Sequence, residues 1–98
     1  MAEARLSEQA EAEILAIYVN SVLRFGEYQA EAYLAGLERT FGLLADFPNM
    51  GQDISVLQAG CRRFRFQSHI IFYSSETNGV FIRTIVHVSR EVRSELFD

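Results

Sequence analysis

Lysine and tryptophan are absent from these 98 residues, cysteine and proline occur once each, and histidine occurs twice. The single cysteine, Cys61, cannot form an internal disulfide, which fits a reducing cytoplasm and leaves it to read as a small hydrophobe. No stretch comes near the roughly 20 apolar residues that span a bilayer, so no membrane segment is expected. The first seven residues carry Glu3 and Arg5 and lack the apolar stretch of a signal peptide. His69 and His87 have no Cys-x-x-Cys or His-x-x-x-His companion, so no metal site is expected, and nothing calls for any other cofactor. With no linker or low-complexity run, residues 1–98 read as one domain around one core. Apolar residues make up 49% of the chain, enough for that core and too many for a disordered tail. A domain of this length buries a modest share of its surface, so a permanent partner would add stability by mass action.

Charge narrows the function further. A net charge of −4 argues against a protein that holds nucleic acid by bulk electrostatics, since such domains are usually basic, and no sequence-specific nucleic-acid binding is expected. The two halves differ: residues 1–50 hold three Arg against eight acids, residues 51–98 six Arg against five. Every strong cation is Arg, the side chain suited to bidentate pairing with carboxylates or phosphates, although compositional drift would give the same bias.

Ala2 to Leu6 reads as a short edge strand. Ser7 follows as an N-cap, with Glu8, Glu11 and Glu13 near the positive end of a helix. Ala10, Ile14, Ile17, Tyr18, Val22 and Phe25 then recur at three- and four-residue steps, and Gly26 ends that helix. Ala30, Tyr33, Leu34, Leu37, Phe41, Leu44 and Ala45 form a second stripe that stops before Pro48, and the short break folds the two helices into an antiparallel hairpin. Gly36 and Gly42 inside the second helix each cost about 1 kcal/mol relative to Ala. Close approach of a neighbour would explain them, and so would chance.

Asn49 to Gly60 reads as a loop, after which the period becomes two. Arg63 and Arg65 alternate with Phe64 and Phe66, Gln67-Ser68 makes a tight turn, and a strand follows from His69. Asn78-Gly79 signals a second hairpin. In the last strand Val80, Ile82, Thr84 and Val86 fall on one face, with Phe81, Arg83, Ile85 and His87 on the other. Residues 89–98 read as a tail or short helix. The order β-α-α-β-β-β describes an α+β domain, a helical hairpin packed on a small antiparallel sheet.

Six fragments in register resemble the ParE branch of the ParE/RelE toxins. Phe25-Gly26-Glu27-Tyr28-Gln29-Ala30-Glu31-Ala32-Tyr33 is similar to the family's F-G-x-x-Q-A-x-x-Y, and Leu37 to Ala45 continues it. Pro48-Asn49-Met50-Gly51 resembles its P-x-x-G, and Gly60-Cys61-Arg62-Arg63-Phe64 its strand entry. His69-Ile70-Ile71-Phe72-Tyr73 resembles its H-x-I-F-Y strand, and Ile85 to Arg90 its closing region. The chain departs from the pattern at Gln52, where Arg is usual, and at Arg90-Glu91-Val92-Arg93 after the last strand.

The resemblance implies a toxin of a type II toxin–antitoxin system. A ParE-like toxin is expected to bind DNA gyrase and stall it with DNA cleaved, without chemistry of its own, and to be neutralised by a ParD-like antitoxin. Its expected working surface is Arg62, Arg63, Arg65, Arg83, His87, Arg90 and Arg93. The alternative is a RelE-like ribosome-dependent ribonuclease with His87 as acid or base, Arg83 and Arg65 as electrostatic stabilisers and Tyr73 as a stacking or relay group. Absent lysine and net acidity weigh against entry into the ribosome's negative field. A third reading, suggested by the departures, is a degenerate toxin retained for antitoxin binding.

Overall fold

The structure, a computed structural model, describes residues 2–90. The expected C-terminal helix and Arg93 lie outside the described residues. The chain runs β1 (Glu3–Leu6), α1 (Glu8–Phe25), α2 (Glu27–Asp46), a 3-10 turn (Pro48–Met50), β2 (Gln52–Asp53), β3 (Cys61–Phe66), β4 (His69–Glu76) and β5 (Gly79–His87).

Local signals place the helices. Ser7 is extended, and its Oγ accepts the Ala10 N–H at 2.9 Å. Glu8 and Glu11 occupy the first turn, where the helix dipole favours negative charge. Gly26, at φ 90°, is the whole break between the helices: its N–H closes α1 on the Val22 carbonyl, and its own carbonyl accepts the Ala30 N–H of α2. Leu37, Phe41, Leu44 and Ala45 of α2 join Ala10 of α1 and Ile71, Tyr73, Val80, Ile82 and Ile85 of the sheet in the main core. A second cluster contains Cys61, Ile70, Phe72 and Val86 of the strands with Ile54 from the loop.

The sheet has five strands in the order β1-β5-β4-β3-β2. β3, β4 and β5 are antiparallel neighbours as expected. β1 lies at an edge, paired in parallel with the start of β5, so the sheet is mixed rather than wholly antiparallel. The loop after α2 is not structureless, because Gln52 and Asp53 pair with Arg63 and Arg62 as a two-residue strand. The second hairpin turns at Thr77-Asn78, with Gly79 already paired to Glu76. Gly79 answers to a different constraint: at φ 143° it lies against β1, where any Cβ would overlap the Glu3 backbone.

The expected alternation along β5 breaks at Arg83. Ile82 faces Tyr73 and Thr84 faces Phe72, so two steps along β5 match one along β4 and Arg83 is the extra residue of a bulge. Val80 and Ile82 face the helices before the bulge, and Ile85 does so after it, while Val86 turns to the second cluster. Thr84 and Val86 therefore do not share a face with Val80 and Ile82.

The two helical glycines separate in the structure. A Cβ on Gly36 would lie 2.7 Å from Phe66 Cζ, whereas one on Gly42 would meet nothing within 4 Å. Gly42→Ala is expected to raise stability by about 0.5–1 kcal/mol in urea unfolding, through helix propensity alone. Gly79→Ala is expected to lower it by more than that, since φ and space both oppose a side chain. Equal effects of the two substitutions would contradict the packing described.

Candidate functional site

The sheet face turned away from the helices carries most of the arginines. Cross-strand partners share a face, so Arg63 opposite Phe72 and Arg65 opposite Ile70 stand on the side of the second cluster. Arg83 projects there from the bulge, its Nε donating to Ser74 Oγ at 3.3 Å and its guanidinium 5.6 Å from the Phe81 ring centre. Arg5 reaches the same ring from β1, at 4.6 Å, and its Nε donates to Glu76 at 3.1 Å. The Arg5 partner holds the Glu76 carboxyl below its ordinary range. This is the one ion pair among the described residues, so Arg63, Arg65 and Arg83 present their charge to solvent without a carboxylate partner. Beneath them Cys61 is buried, and burial pushes its thiol up, away from the reactive thiolate.

The remaining expected residues lie elsewhere. Tyr73 is fully buried; its hydroxyl donates to the Pro48 carbonyl at 2.8 Å and accepts the Gly51 N–H at 2.8 Å. Burial raises its phenol pKa. Arg62 donates through Nη1 to the Gly51 carbonyl at 2.7 Å. Together they clamp the segment after α2 onto the sheet, and Gly51 leaves no room for a Cβ against the Tyr73 hydroxyl. His87 falls on the helix side after the bulge, edge-on to His69 at 5.3 Å. Arg90 is exposed just beyond β5, its N–H donating to the His87 carbonyl at 3.0 Å. Arg63, Arg65 and Arg83 are thus brought onto one face with Arg5, which sequence reasoning missed. The group His87, Arg83, Arg65 and Tyr73 is spread over both sheet faces and the core.

On the helical hairpin, which sequence reasoning named with the sheet edges as a docking place for an antitoxin, a second surface stands out that it did not identify residue by residue. Leu15, Val19 and Leu23 of α1 are 64%, 47% and 78% exposed, a stripe at four-residue spacing opposite the one that packs on the core. The spacing is legible, but a single apolar stripe had already accounted for the helix. Among the described residues no helix is long and apolar enough to cross a membrane.

The family model for the ParE toxin of type II toxin–antitoxin systems (parDE) matches residues 4–92. Toxin ParE1 of Caulobacter vibrioides is 37% identical over 92 residues, covering 94% of this chain and 95% of that protein. Among solved structures, a chain of the chromosomal ParDE TA system from P. aeruginosa superimposes with a TM-score of 0.76 over 90% of this chain and 97% of that one. At 19% identity that likeness shows the fold.

The clamp yields a direct test. Tyr73→Phe removes the hydroxyl that serves Gly51 and Pro48 while keeping the ring. A loss of about 1–3 kcal/mol is expected in urea unfolding, the cost of leaving buried backbone groups unpaired. Unchanged stability would mean that the clamp does not hold the segment.

Proposed function

The chain belongs to the ParE toxin family of type II toxin–antitoxin systems, and from that premise we propose that it acts in the cytoplasm by binding DNA gyrase and stalling it with DNA cleaved. It performs no chemistry of its own in this reading, and a ParD-like antitoxin neutralises it. The observation that carries the reading is the dispersal of the acid–base and cationic residues. General acid–base cleavage of a phosphodiester needs its groups within hydrogen-bond reach of one bond. Here Tyr73 is committed to Pro48 and Gly51, and His87 stands across the sheet from Arg65 and Arg83.

The outer face offers what a binding mechanism requires. Among the described residues Arg63, Arg65 and Arg83 have no carboxylate partner, so a target's acidic side chains or phosphates can pair with them without breaking an ion pair there. Of the other residues expected to work, Arg62 is committed to Gly51 and His87 stands on the opposite side of the sheet, while Arg90 is exposed just past β5.

The antitoxin is assigned the Leu15–Val19–Leu23 stripe. An amphipathic helix presents apolar side chains at matching three- and four-residue steps and would cover that stripe. β3 extends past β2, which pairs only with Arg62 and Arg63, leaving Phe64–Phe66 as an edge where an extended segment can add a strand. Such coverage would also stabilise a small domain.

Expression in cells without antitoxin, followed by purification with it, tests the reading. Growth arrest is expected from the wild type and from His87→Ala, with arrest weakened by Arg63→Glu combined with Arg83→Glu. Leu15→Asp combined with Leu23→Asp should lower antitoxin affinity at least tenfold, about 1.4 kcal/mol, without abolishing arrest. No arrest from the wild type would point to a degenerate toxin. Arrest abolished by His87→Ala in a folded protein would favour the ribonuclease.

A further inference from the structure

Between the hairpin tip and the β3–β4 turn lies a groove of about 580 Å³ that belongs to neither surface described above. Arg24, Gln29, Tyr33, Ser68, His69 and His87 are among the residues that line it, and among the described residues no carboxylate does. Its titratable and charged groups are Arg24 from α1, Tyr33 from α2, His69 from β4 and His87 from β5.

Hydrogen bonding sets which ring nitrogens are available. Tyr33 Oη accepts the Ser68 N–H at 3.2 Å and lies 2.6 Å from His69 Nδ1, closer than the 3.4 Å to the Phe66 carbonyl. We assign the phenol proton to the shorter contact, His69 Nδ1, which leaves the neutral ring's own proton on Nε2. His87 Nδ1 accepts the Ser89 N–H at 3.0 Å, which likewise places its proton on Nε2. Neither Nε2–H has a partner among the described residues. The two rings stand edge-on at 5.3 Å. Burial, and then the charge of His87, holds the His69 pKa below its ordinary value. The C-terminus of α1 and the N-terminus of α2 meet at Gly26, so their dipoles oppose each other and the side chains decide the field.

Two imidazole N–H donors and a guanidinium, with no acid beside them among the described residues, form a site for an anion. The volume lies within the roughly 300–1,000 Å³ of small-molecule sites and is larger than an isolated phosphate needs. Phe25, 63% exposed at the rim, and Tyr33 supply aromatic surface. We propose that this groove binds a nucleotide, its phosphate held by Arg24 and the Nε2–H groups of His69 and His87 and its base against Phe25. The site is independent of the gyrase reading, so either can fail without the other.

The test is an NMR titration of the full-length chain with AMP, adenosine and a 5′-phosphorylated deoxyadenylate oligonucleotide. AMP at millimolar concentration is expected to shift the imidazole resonances of His69 and His87 and to raise the depressed pKa of His69, since bound phosphate favours imidazolium. Adenosine should bind at least tenfold more weakly than AMP. Arg24→Ala, at an exposed helix position, should weaken AMP binding at least tenfold with the rest of the spectrum unchanged. Tighter binding of the oligonucleotide than of AMP would assign the site to a strand end; the reverse would assign it to free nucleotide. No imidazole shift with AMP, equal binding of adenosine, or an affinity indifferent to Arg24→Ala would overturn the proposal.

Discussion

Glu13 of α1 meets the sheet where β5 bulges around Arg83. Its carboxylate accepts the Ile85 N–H at 2.9 Å and the Thr84 hydroxyl at 2.8 Å, while Ser7 Oγ donates to the Arg83 carbonyl at 2.7 Å. β1 has ended by this point, so the start of α1 takes over the free edge of β5 and satisfies the groups that the bulge releases. The extra residue inverts the faces of the strand beyond it. Ile85 enters the main core, Val86 joins the second cluster, Arg83 projects onto the outer face and His87 turns towards the helices. The histidine groove depends on that inversion, whereas Arg83 keeps the side of Phe81 that plain alternation would give it.

Features governed by neighbours in sequence were legible. The Ser7 cap, the Gly26 break, the α2 stripe and the alternation of β3 all follow from residues within a few positions. What escaped depends on contacts between distant segments. The parallel pairing of β1 with β5 joins residues more than seventy apart, and the reason Gly79 is glycine lies in Glu3. The bulge is invisible to a strict two-residue period, because Thr84 and Val86 continue the apolar alternation that the chain itself abandons. Gly36 and Gly42 look alike until Phe66 is placed over the first.

The candidate site was legible in part for the same reason. The arginines of β3 were recognisable as one face, but Arg62 points the other way and holds Gly51, and Arg5 arrives only through the β1–β5 pairing. Tyr73 and Pro48-Asn49-Met50-Gly51 carry the family resemblance, and the structure gives them one physical role in the clamp after α2. Two exposed surfaces of different character stand out: an apolar stripe on α1, where the acidic half of the chain lies, and an arginine face on the sheet. Separate surfaces of opposite character suit a small toxin that must engage a target and an antitoxin.

Purified gyrase with ATP and relaxed plasmid separates binding from catalysis most sharply, with the toxin added alone and then together with its antitoxin. Inhibited supercoiling and accumulating cleaved DNA, suppressed by antitoxin, are the predicted result. Full gyrase activity in the presence of toxin that still arrests growth would contradict the account.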